Sequence, residues 1–155
     1  MPLEIKPVTT QTLNAVLDLF GQYQIFYKTT PDRKKNEKFL KALLQAPQEA
    51  AQFLAFDGNH ALGFATIYYT YSSVSAERTG TLNDLYVVPE ARGKGVGRAL
   101  MDHCAAFLRA QGIAKMAWMT HVDNHVAQRL YDTYPAQRDT WYEYTLSLYK
   151  TVPGS

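Results

Sequence analysis

The chain is poor in cysteine. Cys104 is the only one in 155 residues, so no intrachain disulfide can form and a reducing compartment is expected. Long apolar runs are also missing, and no stretch approaches the roughly 18 residues that a membrane span requires. Nor is one sign of charge in excess: 16 Lys and Arg stand against 14 Asp and Glu, for a net charge of +2. The strong basic surplus on one face that marks nucleic-acid binding is absent. The opening MPLEIKPVTT carries Glu4 and no apolar run, so it is not expected to act as a signal peptide. Aromatics, by contrast, are plentiful, with eleven Tyr and seven Phe in a chain that is 46% hydrophobic. That is enough to build a core rather than a disordered chain. The expectation is one soluble, cytoplasmic domain over residues 1–155, with no nucleic-acid or membrane partner.

Patterning supplies the elements. LEIKPV reads as a strand. Thr9 or Thr10 can cap a helix in which Leu13, Val16, Leu17, Phe20 and Tyr27 recur at near-helical spacing. Asp32 can cap a second helix with Phe39, Leu40, Leu43 and Leu44 on its apolar side, ended by Pro47. AAQFLAF and ALGFATIYYTYSSV are strands joined by a turn at Asp57-Gly58-Asn59. SAERTG reads as a polar loop and TLNDLYVV as the next strand. Val96, Leu100, Cys104, Phe107 and Leu108 line one face of a helix ending at Gly112. AKMAWMT, Asn124 to Tyr134, and TWYEYTLSLY read as strand, helix and last strand, with TVPGS as a tail. The order implies an α+β layer around a central sheet.

One stretch stands out. Arg92-Gly93-Lys94-Gly95-Val96-Gly97-Arg98 lies where a strand hands over to a helix. The first turn of a helix leaves N–H groups unpaired at the positive end of its dipole. Glycines let a ligand approach that backbone, and the basic side chains add charge. The segment therefore looks built for a polyphosphate. It is not a P-loop, because no Ser or Thr follows the glycines to hold Mg²⁺, and its spacing is not the dinucleotide G-x-G-x-x-G.

Arg92-x-x-Gly95-x-Gly97 resembles the acetyl-CoA motif [RQ]-x-x-G-x-[GA] of the GNAT N-acetyltransferases. Asn124-His125-Val126-Ala127-Gln128-Arg129-Leu130-Tyr131 resembles the family's N-x-x-A-x-x-L-Y helix. One helix and one strand fit between the two. LNDLYV is similar to the L-E-D-L-Y-V of the histone acetyltransferase-related and polyamine acetyltransferase branches, with Asn83 in place of Glu. Tyr134-Pro135 replaces the Gly-Phe or Gly-Tyr common after that helix. The resemblance is carried by about residues 80 to 150. It implies a mixed, mostly antiparallel, splayed sheet of about six to seven strands flanked by about four helices.

It also implies acetyl-CoA as co-substrate and a primary amine as acceptor: a small basic amine, an amino acid or a protein lysine. A catalytically silent CoA-binding sensor is the alternative. The resemblance places Leu85, Tyr86 and Val87 beside the pantetheine, and assigns the diphosphate to Arg92, Gly93, Lys94, Gly95, Val96, Gly97 and Arg98. Asn124 and Ala127 belong to its second motif, where Asn124 contacts the pantetheine or holds the strand–helix junction and is also a good helix N-cap, roles that are compatible. Tyr131 matches the general acid that protonates the leaving thiolate. A base must take a proton from the acceptor. Asp84 is one candidate, with Glu77, Asp123 and Glu143 behind it, and Asn83 could position a water or bind substrate. Simple alternation would put Asn83 and Asp84 on opposite faces. The family often dimerises, sometimes by exchanging a C-terminal strand, so a homodimer is expected.

Other features have ordinary readings. His121 and His125 are four apart but straddle a helix start, so no metal is expected. Cys104 reads as a buried structural thiol. Arg33, Lys34, Lys35, Lys38 and Lys41 read as a solvated face, with the adenosine 3′-phosphate or an acidic partner as the alternative, and Tyr68, Tyr69 and Tyr71 line either an acceptor cleft, the core or a dimer surface.

Overall fold

A computed structural model describes residues 2–149; the tail TVPGS lies outside them. The chain divides into two compact units, residues 1–119 and 120–155.

The first unit carries a sheet of five strands: β1 (Leu3–Pro7), β2 (Ala50–Asp57), β3 (His60–Ser72), β4 (Glu77–Val87) and β5 (Met116–Ala117). They lie side by side in chain order, antiparallel from β1 to β4, with β5 parallel to β4. Helices α1 (Leu13–Phe26), α2 (Arg33–Leu44) and α3 (Val96–Ala110) belong to this unit. The fold class is the expected α+β one. Asp32 caps α2 as its sequence suggests, its carboxylate accepting from the Lys35 amide at 3.1 Å. α1 and α2 are fastened by a reciprocal amide pair between Gln24 and Asn36, at 2.7 and 3.0 Å.

α1 and α3 cover opposite faces of the sheet. Phe20 and Tyr23 of α1 pack on Phe64, and Tyr23 also meets Tyr86 edge-on. On the other face, Phe53 meets His103 and Phe107 of α3 at ring distances of 4.6 and 5.0 Å. The glycines at Gly63 and Gly80 admit Leu100 and Leu108 of α3 close to the sheet. Cys104 is fully buried here, and burial pushes its thiol up to about 12. That removes it as a nucleophile.

The register between β3 and β4 slips once. Thr66 opposes Asp84, but Ile67 opposes Leu82, so Asn83 is an extra residue, a β-bulge. Side-chain alternation inverts there. Gly80, below the bulge, faces Leu108 of α3. Asp84 and Tyr86, above it, face α1, where the Tyr86 hydroxyl donates to Gln22 at 3.3 Å.

Three expectations need correction. SAERTG is not wholly loop, because Glu77–Gly80 already belongs to β4. The strand expected over AKMAWMT shrinks to Met116–Ala117. The last strand, Thr140–Tyr149, does not form, which leaves five strands rather than six or seven. Its alternation is suited to a ladder, but strand conformation persists only against a partner edge. No such pairing is made among the described residues.

The second unit contains α4 (His125–Tyr131). Asn124 caps it, accepting from the Ala127 amide at 3.2 Å. The Gln128 amide closes the approach by donating to the carbonyls of His121 and Val122.

A Cβ at Gly63 would lie 2.5 Å from the Tyr86 carbonyl oxygen and 3.3 Å from Leu100 Cδ1. Gly63→Ala is therefore expected to destabilise the fold by about 1–3 kcal/mol through overpacking. Thermal unfolding should show a melting point lower by several degrees.

Candidate active site

The glycine-rich turn begins where β4 ends. Pro89–Ala91 forms a single 3-10 turn, and Arg92 leaves it in extended conformation. Gly93 and Gly95 then adopt positive φ, 75° and 85°. Gly95 is the N-cap of α3 and, having no side chain, supplies no cap to the first-turn amides. A Cβ on Gly93 or Gly95 would meet nothing within 4 Å. The turn is thus an open backbone cradle at the positive end of a 15-residue helix. Lys94 and Arg98 are exposed beside it, while Val96 is buried and anchors the helix start.

Arg92 faces the other way. Its Nε donates to the Val87 carbonyl at 2.9 Å. Its guanidinium lies over the rings of Phe26 and Tyr86 at 5.6 and 5.7 Å. It therefore ties the cradle to α1 and to the end of β4.

The sheet opens just before this turn. β5 pairs with β4 only at Gly80–Met116 and Thr81–Ala117. From Leu82 to Val87 the outer edge of β4 has no strand partner among the described residues. Leu85 and Val87 are half-buried on this stretch. A slender chain with amide groups could occupy the vacant ladder position and end in the glycine cradle, so the residues present fit the pantetheine and diphosphate of CoA.

The bulge decides what lies on the α1 side. Asp84 is 4% exposed. Its Oδ1 accepts from Asn83 Nδ2 at 3.0 Å, so the two are in contact rather than on the opposite faces that plain alternation predicts. Around Asp84 stand Tyr23 and Tyr27 of α1 and Tyr68 of β3. Burial first, and then the charge of Asp84 and a hydrogen bond to its carboxylate, raise Tyr23 far above the ordinary phenol range. Burial and the same charge raise Tyr27, and push Tyr68 up to about 12. All three remain neutral phenols at physiological pH. Asp84 Oδ2 is nevertheless buried without a hydrogen bond of ordinary geometry.

Of the tyrosine trio, only Tyr68 belongs here. Tyr69 faces α3, bonding Gln111 at 2.9 Å with Arg78 over its ring, and Tyr71 is exposed. Of the other candidate bases, Glu77 pairs with Lys115 at 3.2 Å and Asp123 with His121 at 3.5 Å, and Glu143 belongs to the second unit. Asn124, Ala127 and Tyr131 also lie in the second unit, on or beside α4. Among the described residues no group of three His, Cys, Asp or Glu could hold a metal ion. Sequence reasoning missed Tyr23 and Tyr27 as site residues. Their i, i+4 spacing on one helix face was the available signal.

A family model, the acetyltransferase (GNAT) family, matches residues 13–133. An uncharacterized N-acetyltransferase, YhfO of Bacillus subtilis, is 35% identical over 138 residues, covering 89% of this chain and 92% of that one. The D-amino-acid N-acetyltransferase HPA3 of Saccharomyces cerevisiae is 31% identical over 129 residues, 82% of this chain and 80% of that one. The crystal structure of a probable acetyltransferase, 32% identical, superposes with a TM-score of 0.83 over 96% of this chain and 99% of that one. The chain belongs to the GNAT family and is an N-acetyltransferase.

Proposed function

We propose that residues 1–155 act as one acetyltransferase domain that moves an acetyl group from acetyl-CoA to a primary amine by direct attack. The acceptor is a small basic amine, an amino acid or a lysine side chain. The observation that carries this reading is the pairing of the open glycine cradle with the unpartnered Leu82–Val87 edge. The family implies acetyl-CoA, which supplies the thioester carbon that the amine attacks. First-turn amides around Gly95, Val96 and Gly97, with Gly93, Lys94 and Arg98, hold the diphosphate. Leu85, Tyr86 and Val87 flank the pantetheine, and the β4 backbone offers the donor for the developing oxyanion. Asn124 and Ala127 contribute from the motif of α4 in addition to the cap they form.

The acceptor arrives protonated and must lose a proton to expose its lone pair. Asp84, with Asn83 holding its Oδ1, takes that proton directly or through water. Tyr131 returns a proton to the departing sulfur, a role that suits a phenol protonated at neutral pH. The protein works in a reducing, cytoplasmic setting, in keeping with a single, buried cysteine. It is also a homodimer: Trp141, Tyr142, Tyr144, Leu146 and Leu148 are exposed in a segment patterned for a strand but without one. A second copy supplies the missing edge.

Three measurements test this reading. Tyr131→Phe should lower kcat by about 100-fold or more and leave the affinity for CoA nearly unchanged; full turnover would remove Tyr131 from the reaction. Gly95→Val forces a branched side chain into the left-handed region, which costs about 1–2 kcal/mol. It should also weaken CoA binding by about tenfold, or about 1.4 kcal/mol, as read by denaturant unfolding and calorimetric titration. Light scattering should give twice the chain mass of 17.5 kDa for the full chain and a single chain mass once residues 140–155 are removed.

A further inference from the structure

Asp84 is a carboxylate in the wrong surroundings. It is 4% exposed and Oδ2 makes no hydrogen bond of ordinary geometry. Among the described residues no Lys, Arg or His forms an ion pair with it. Arg92, on the turn that follows β4, commits its Nε–H to the Val87 carbonyl. Withdrawing a charge from water without a partner is strongly unfavourable, and buried charges are ordinarily paired. A cationic ligand would supply the compensating charge that the described residues do not.

The neighbours of Asp84 say what kind of charge that is. Tyr23 and Tyr27 stand with ring centroids 4.9 Å apart, and Tyr68 joins them from β3. Ring faces attract organic cations, whereas among the described residues no group of three His, Cys, Asp or Glu could hold a metal. The cross-strand row Gln52–Thr66–Asp84 runs beneath. In it Gln52 Nε2 donates to Thr66 Oγ1 at 2.9 Å, leaving Gln52 Oε1 buried and also without a donor. Two unmet acceptor oxygens and three aromatic rings on one side of the sheet suit a group with several N–H donors and one positive charge. That is a primary ammonium.

We propose that Asp84, Tyr23, Tyr27 and Tyr68 form the seat of the acceptor's ammonium group, and that the acceptor is a primary amine on an aliphatic chain rather than an α-amino acid. The proposal rests on the acetyl-transfer reading above and narrows its acceptor. An α-amino acid would bring its own carboxylate two bonds from the nitrogen, against Asp84 in a site with little water to screen the repulsion. A lysine side chain, a diamine or a simple alkylamine carries no such group.

The test is equilibrium binding to the full chain, with and without saturating CoA, followed by calorimetry and by the tyrosine NMR signals. Four probes of matched shape are used: n-butylamine, the neutral n-butanol, and the two enantiomers of norvaline, which is butylamine with a carboxylate on the amine-bearing carbon. Butylammonium should bind at least about tenfold tighter than the others, and it should shift the Tyr23, Tyr27 and Tyr68 resonances. Asp84→Asn should abolish that preference while CoA binds as before. Should Asp84→Asn fail to fold, Tyr27→Leu at the exposed rim should weaken butylammonium several-fold. Equal binding of butanol, equal or tighter binding of norvaline, no binding of butylammonium, or wild-type amine affinity in the variants would each overturn the proposal. Loss of CoA binding in the unaltered chain would instead overturn the acetyl-transfer reading, since the amine titrations without CoA stand apart from it.

Discussion

The extra residue at Asn83 is the constraint on which the site depends. A strand has a period of two, so a single inserted residue exchanges the faces of everything beyond it. Below the bulge, Gly80 lies against Leu108, and β4 serves as the floor for α3. Above it, Asp84 and Tyr86 turn to α1, and β4 becomes the wall of a polar, aromatic cluster. One strand thereby does both jobs without a break in its pairing with β3. With the bulge removed, Asp84 would point at the apolar face of α3, where burial would have nothing to offset it.

The same strand also supplies the vacancy beside it. β5 stops pairing at Thr81, two residues before the bulge at Asn83. The vacancy and the polar cluster thus both begin next to one backbone irregularity. The glycine cradle completes the path, because β4 delivers the chain into it through a single turn fixed by Pro89 and by the Arg92–Val87 bond.

These facts explain what could be read in the sequence. Features that depend on a few adjacent residues were legible. The cradle is written in Gly93, Gly95 and Gly97, and the caps are written in Asp32 and Asn124. The helices follow from apolar spacing. Features that depend on pairing between distant segments were not. Nothing in LNDLYV announces that Asn83 lacks an opposite number, because a bulge is a property of two strands. The alternation of TWYEYTLSLY is a valid strand pattern, yet it makes no strand without an edge to join. Tyr23 and Tyr27 sat in plain view as helix residues, but only the inverted face of β4 brings a carboxylate to them.

The buried row Gln52–Thr66–Asp84 bears on why stability and function diverge here. An all-apolar row would pack as well and leave no acceptor unmet, and replacing buried polar groups by apolar ones is often neutral or stabilising. The fold instead keeps a carboxylate with one free oxygen beneath three phenols that its own charge and their burial hold neutral. Neutral phenols can donate hydrogen bonds to the carboxylate but cannot cancel its charge, and they displace the water that would solvate it. A cation entering from solvent therefore finds an anion already stripped of its hydration and walls that need not rearrange. That is preorganisation, in which the cost of desolvating the anion is met during folding rather than at each binding event.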